Sequence, residues 1–277
     1  MYKEIHVFKS SEPMLQVNAY IVEGPNELVI VDTTLTMSDS KALKALADSL
    51  HKPIAAIFIT HGHPDHIAGT LNISPDGKIP IYALSSIKTL MEQTEQSKHE
   101  QWSGMFGDEW VPKWVYPNHI VKDGDQISID SMTFKVLDIG SGGDCDANAI
   151  WLLEGANPVA FVGDFLYRGN HTYMADGNVL RWLANLEKYA PTLQSYNTYY
   201  IGHGTPCTFE DIHKQKQYML DYCAEILHAT GGSAIFTDET LSMFDQRMTA
   251  KYPTYGCQFM VELSAERVAA EIKSLSE

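Results

Sequence analysis

Short apolar runs alternate with polar punctuation over the first part of the chain, and their lengths suit strands better than helices. Residues 2–8, 15–22 and 28–31 are rich in Val, Ile and Tyr. They are separated by Ser10-Ser11-Glu12-Pro13 and by Gly24-Pro25-Asn26, which predicts an antiparallel meander. Asp32 ends the third run, and Thr36 or Ser38 caps a helix to about Leu50, with Leu43, Leu46 and Leu50 on one face. Residues 54–59 are apolar throughout, the pattern of a strand buried on both faces. Its C-terminal end is where α/β sheets present their sites.

Residues 67–71 open a short helix, 79–83 form a strand and 85 to about 99 read as a helix. Trp102, Met105, Phe106, Trp110 and Trp114 then crowd among Gly104, Gly107, Pro112 and Pro117, so a flap at about 100–118 fits neither regular element. It pins a long connection, covers a substrate, or buries against a second subunit of a homo-oligomer; the pattern leaves the three open. Beyond it, 126–130 with 132–137 and 149–154 with 159–162 predict two more strand pairs. Helices are predicted over 178–189, 209 to about 228, 238 to about 251 and 264–275. Two strand-rich halves with helices imply two sheets packed face to face. No Gly/Ser-rich or charged linker divides 1–277, so one domain is expected, with the helices at about 238–277 covering the sandwich or forming an appendage.

The chain has 277 residues, 44% hydrophobic and 20% charged, which excludes a largely disordered protein. Its longest apolar runs are strand-sized, so no membrane partner is expected. With 20 basic and 35 acidic residues the formal charge is −15, which argues against nucleic acid. Bound cations would reverse the field locally, so a small anionic substrate stays open. The N-terminus lacks a basic-then-apolar leader, and the expectation is a cytoplasmic protein. Cys145, Cys207, Cys223 and Cys257 form no Cys-x-x-Cys pair and read as reduced thiols.

The candidate chemistry follows the fully apolar strand: Thr60-His61-Gly62-His63-Pro64-Asp65-His66-Ile67-Ala68-Gly69. Imidazole and carboxylate are ligands of zinc, iron and manganese, and so many in one loop call for a cation. The plain alternative is a His-rich solvated turn. The order His-x-His-x-Asp-His, together with Gly163-Asp164 and Gly202-His203-Gly204, resembles the metallo-β-lactamase superfamily.

That resemblance implies a four-layered αββα sandwich of two mixed sheets flanked by helices, and a binuclear centre of two divalent ions. Zinc is expected first, with iron or manganese open. His61 and His63 would hold one ion, Asp65, His66 and His203 the other, and Asp164 would bridge them. Where the family supplies a third histidine to the first ion, this chain has Ile139-Gly140-Ser141-Gly142-Gly143-Asp144-Cys145-Asp146-Ala147-Asn148. Counting back from Ala149 selects Asp144, with Asp146 or Cys145 as substitutes. The implied activity is hydrolysis of a small-molecule ester, lactone, thioester or amide by a metal-bridging hydroxide, with Asp65 in the reaction centre and Tyr173 or Arg168 stabilising the oxyanion. Arg168, His171 and Tyr173, and the flap residues Trp102, Phe106 and Trp110, are the expected substrate contacts. The alternatives are a di-iron redox protein of the same fold and a ligand-binding or sensing member with an altered metal site.

Overall fold

In the computed structural model residues 2–11 and 16–274 are described; residues 15 and 275, at the ends of two expected elements, lie outside them. Strands β1 (Glu4–Lys9), β2 (Asn18–Glu23) and β3 (Leu28–Val31) form the antiparallel meander that their turns predicted. Strands β4 (Ile54–Phe58), β5 (Ile81–Leu84) and β6 (His119–Val121) extend this sheet in parallel. The crossover from β3 to β4 is helix α1 (Met37–Ser49), started by Thr36, whose hydroxyl accepts from the Asp39 N–H at 3.1 Å. One-turn helices α2 (Pro64–Ile67) and α3 (Thr70–Ile73) follow β4, and α4 (Ser85–Phe106) follows β5.

The second half makes the second sheet. Strands β7 (Gln126–Ile129), β8 (Met132–Gly140), β9 (Asn148–Leu153) and β10 (Val159–Gly163) pair antiparallel in order, and β11 (Thr198–Ile201) adds in parallel beside β10. Helices α5 (Val179–Leu193), α6 (Phe209–Ala229), α7 (Asp238–Lys251) and α8 (Phe259–Ser274) complete it.

The period of two along β8, β9 and β10 sorts side chains between two cores. Phe134, Val136, Trp151, Leu153 and Phe161 face the first sheet. Leu137, Ile150, Leu152, Ala160 and Val162 face the opposite way and pack with α5 to α8. Where the sheets meet, Phe58 stacks on Trp151 at 4.2 Å and meets Phe134 edge-on at 4.8 Å. The layering is helix, sheet, sheet, helix, as expected, with mixed strand directions in both sheets. Among the described residues no helix is long and apolar enough to cross a membrane.

The aromatic segment needs a correction. Helix α4 runs on through Phe106 and ends at Gly107, whose φ of +53° stops it. Gly104 sits within that helix, where a Cβ would meet nothing within 4 Å. Trp102 and Phe106, four residues apart on one helix face, contact each other at 6.3 Å, and Phe106 stacks on Trp110 at 6.1 Å. Trp110, 5% exposed, joins the inter-sheet core and bridges its backbone to Thr36. β6 and β11 were not anticipated: each is short, with two exposed residues before one buried in β6 and half-buried positions alternating with buried ones in β11. α5 continues past Tyr189 through Pro191, and α8 starts before Ser264, at Phe259.

Because Phe58 joins the two sheets through Trp151 and Phe134, Phe58→Ala is expected to cost about 3–5 kcal/mol of stability in chemical denaturation.

Candidate metal centre

Strand β4 delivers the histidine loop to the seam between the sheets, and backbone bonds fix it there. The Ala149 N–H donates to the Thr60 carbonyl at 2.6 Å, His61 pairs as a bridge with Asn148, and the Trp151 indole N–H donates to the Ile59 carbonyl at 2.9 Å. On the other side, Asn18 N–H donates to the Gly202 carbonyl, and the Asn18 amide donates to the carbonyls of Ile201 and Gly204, both at 3.0 Å. Gly202 has no room for a side chain: a Cβ would lie 1.7 Å from Asp164 Oδ1 and 2.6 Å from the His66 ring.

These contacts bring together residues spread from position 61 to 203. His61, His63 and Asp144 form one group, Asp65, His66 and His203 a second, and His61, His66 and Asp164 a third between them; within each, the candidate ligand atoms lie within 4.8 Å of one another. All seven residues are nine-tenths or more out of water. Asp144 Oδ2 is 2.8 Å from His63 Nδ1 and 3.6 Å from His61 Nε2. Asp164 divides its oxygens: Oδ1 lies 3.5 Å from His66 Nε2, and Oδ2 lies 3.2 Å from His203 Nε2. Asp65 Oδ2 is 3.1 Å from His203 Nε2. Of the three neighbours considered in the Gly-rich turn, Asp144 alone enters the cluster. The Cys145 thiol is directed at the Ala147 carbonyl, and Asp146 is exposed and accepts from Asn178.

Three of the histidines have their protons placed by oxygens on the side away from the cluster. Thr60 Oγ1 donates to Asp32 Oδ2, so at 3.0 Å it can only accept from His61 Nδ1, which leaves His61 Nε2 as a lone pair facing inward. Asp32 Oδ2 likewise takes His66 Nδ1 at 2.8 Å, leaving His66 Nε2 inward. Asp176 Oδ2 takes His63 Nε2 at 3.0 Å, leaving Nδ1 inward. His61 Nε2, His66 Nε2, Asp144 Oδ1 and Asp164 Oδ1 are buried without a hydrogen-bond partner. Buried polar atoms are normally satisfied, and inward-facing imidazole lone pairs opposite carboxylates are what a cation would satisfy. The residues present therefore fit the divalent ions.

Without a cation the site is electrostatically divided. Burial lowers His61 well below the usual imidazole range, with the neighbouring His66 adding to it. For His66 the same burial is outweighed by Asp65, Asp164 and Asp32, which raise it to about 9. Burial pushes Asp144 up to about 7 even though His63 opposes it.

Three contributors escaped the sequence reading. Asp32, at φ +59° after β3, is held by the Thr60 N–H at 2.9 Å and anchors both Thr60 and His66. Asp176 joins His63 to the Tyr173 hydroxyl, which donates to its other oxygen at 2.9 Å. Tyr167 donates to Asp164 Oδ2 at 2.6 Å and stacks on His203 with ring centroids 5.8 Å apart. Burial, reinforced by Asp164, holds its phenol well above the usual range and so protonated.

The expected substrate contacts divide. Tyr173 stands edge-on to His63 at 5.3 Å. Trp102 and Phe106 are half-buried on α4, the helix whose Leu90 packs against Gly62 of the histidine loop. His171 and Trp110 are corrections. His171 is fully buried, bonded to Tyr218 and ringed by Tyr252 and Tyr255, so it has no surface to offer a substrate; Trp110 is a core residue. Arg168 lies outside the metal-ligand groups, bonded to the Pro206 carbonyl and lining a cleft of about 180 Å³ with Tyr167, Asp211 and Lys214.

The model of the metallo-beta-lactamase superfamily matches residues 13–216. A beta-lactamase-like protein 2 homolog of Caenorhabditis elegans is 28% identical over 214 residues, 73% of this chain and 60% of that protein. A hydroxyacylglutathione hydrolase of Prochlorococcus marinus (strain MIT 9301) is 24% identical over 159 residues, 53% of this chain and 55% of that protein. The chain thus spans less than two thirds of the length of either relative. Among solved structures, a metallo-beta-lactamase family protein of Thermus thermophilus superposes with a TM-score of 0.70 at 17% identity, covering 98% of this chain and 93% of that one. A beta-lactamase domain protein of Burkholderia ambifaria gives 0.71 at 15% identity, covering 99% and 89%. At these identities the structures speak for the fold.

Asp32→Ala removes the acceptor that orients His66 and Thr60, so affinity for the ions is expected to fall roughly 10–100-fold in competition with a chromogenic chelator.

Proposed function

Because the chain belongs to the metallo-beta-lactamase superfamily, we propose that it is a metal-dependent hydrolase of a small molecule, cleaving an ester, lactone, thioester or amide. The observation that carries this reading is the set of inward-facing ring nitrogens of His61, His63 and His66 opposite Asp144, Asp164 and Asp65. The name of one relative, hydroxyacylglutathione hydrolase, is that of a hydrolase and supports the reaction type.

In this reading His61, His63 and Asp144 would hold one divalent ion and Asp65, His66 and His203 the other, with Asp164 placed between the two groups. Zinc is the first candidate. Bound there, the ions supply an activated water as nucleophile and Lewis acidity for the substrate carbonyl. The chain's own residues do the positioning. Asp32 and Asp176 fix the rings of His66 and His63, and Thr60 fixes His61. Tyr167 gives its one proton to Asp164 and stacks on His203, so it holds these two ligands in place. Tyr173 gives its proton to Asp176 in the same way, which makes it a wall beside His63 and a support for that ring. Trp102 and Phe106 offer apolar surface on α4. The formal charge of −15 favours a small-molecule substrate over nucleic acid.

A panel of esters, lactones, thioesters and amides tests this. Turnover of at least one class is expected, lost on chelation and regained on adding back the ions. Tyr167→Phe, which takes the phenolic donor away from Asp164, is expected to lower metal affinity or turnover roughly 10–100-fold. A chain that binds its ions yet turns over no member of the panel contradicts the hydrolase reading.

A further inference from the structure

Asp144 is the position at which the first ligand group departs from three imidazoles, and its surroundings fix it tightly. Asn148 donates to the carbonyls of Gly140 and Cys145, and Asn185 of α5 donates to those of Ile139 and Gly142. Gly142 lies so close that a Cβ would stand 1.9 Å from the Asn185 amide nitrogen. The turn therefore has little freedom to withdraw the carboxylate, which is fully buried. Its Oδ2 faces His63 and His61, and its Oδ1 is enclosed without a hydrogen-bond partner.

An imidazole at this point would bring one neutral nitrogen. Asp144 instead brings a negative charge and two oxygens that have no water to turn to. The surrounding charge runs the same way, since Asp176 sits on His63 and Asp32 on His66, beyond Asp65 and Asp164 in the cluster itself. Zinc is satisfied by four donors and accepts nitrogen readily, whereas manganese(II) and iron(II) gain more from charged oxygen donors and from a higher coordination number.

We propose that Asp144 is the metal-selecting residue of the site it shares with His61 and His63, narrowing that site's preference for zinc over a harder ion such as manganese(II). The inference rests on the reading of the cluster as a two-ion centre. It concerns a ratio of affinities: zinc binds most nitrogen and oxygen sites more tightly than manganese in absolute terms. The two oxygens and the charge act together, so the isosteric amide, with one neutral oxygen, lacks both.

The test is metal content of the whole chain, stripped and then equilibrated with buffered manganese(II) or zinc(II), for the natural sequence, Asp144→Asn and Asp144→His. The natural chain is expected to take up two ions of either metal. Asp144→Asn, which keeps the shape of the side chain, is expected to keep two zinc ions but only one manganese. For Asp144→His the zinc-to-manganese affinity ratio is expected to be larger by roughly tenfold or more. Melting curves report whether each variant is folded, and Asp144→Asn carries the test if the bulkier histidine prevents folding. Equal loss or equal retention of both metals in folded Asp144→Asn overturns the inference while leaving the two-ion centre standing. A natural chain that binds zinc but no manganese also overturns it. A natural chain that binds neither ion overturns the metal-centre reading and the inference with it.

Discussion

His61, His63, His66 and His203 face Asp65, Asp144 and Asp164 in a volume almost closed to water, and such a cluster is stable only if its charges and lone pairs are matched. Much of the architecture serves that requirement. The ligands come from the ends of β4, β8–β9, β10 and β11 and from α2, so neither sheet could assemble the cluster alone. The bonds that tie Ala149 to Thr60, Trp151 to Ile59 and Asn18 to Gly202 join the sheets where the cluster sits. The stack of Phe58 on Trp151 sets the spacing just beneath it.

The outer oxygens give the centre its direction. A free imidazole exchanges its proton between two nitrogens, and a ring that presents the wrong one cannot bind a cation. Thr60, Asp32 and Asp176 remove that choice for His61, His66 and His63. Asp32 does so from a left-handed backbone conformation that costs energy for a non-glycine residue, and its two oxygens serve Thr60 and His66 together. Tyr167 and Tyr173 extend the same pattern, each giving its proton to an aspartate within the centre or beside it.

How much of this could be read from the chain depended on how local each signal was. The β4 run and the His-x-His-x-Asp-His order are contiguous, and the short Gly-Asp and Gly-His-Gly turns carry their own signature, so most of the cluster was legible. Asp144 was selected by counting back from a strand; in the fold the equally buried Cys145 turns its thiol to the Ala147 carbonyl and Asp146 is exposed, so Asp144 alone of the three faces the cluster. Asp32, Tyr167 and Asp176 were passed over. An aspartate at a strand end, a tyrosine in a turn and an aspartate before Gly177 each have an ordinary local explanation, and only the folded chain brings them to a ligand. His171 and Trp110 erred in the opposite direction, since their chemistry suggested a site and packing claimed them. Only the first part of the flap was misjudged, because Gly104 was taken as a helix breaker, whereas the paired faces of Trp102 and Phe106 carry α4 past it to Gly107; residues 111–118 form neither helix nor strand, as expected.

Anomalous diffraction from crystals of the protein purified without chelator, collected above and below the absorption edge of the metal found in it, addresses the centre most directly. Two peaks are expected, one among His61, His63 and Asp144 and one among Asp65, His66 and His203, with Asp164 reaching both. A cluster that shows no peak, or one held without His61, His63 and Asp144, would contradict the two-ion centre.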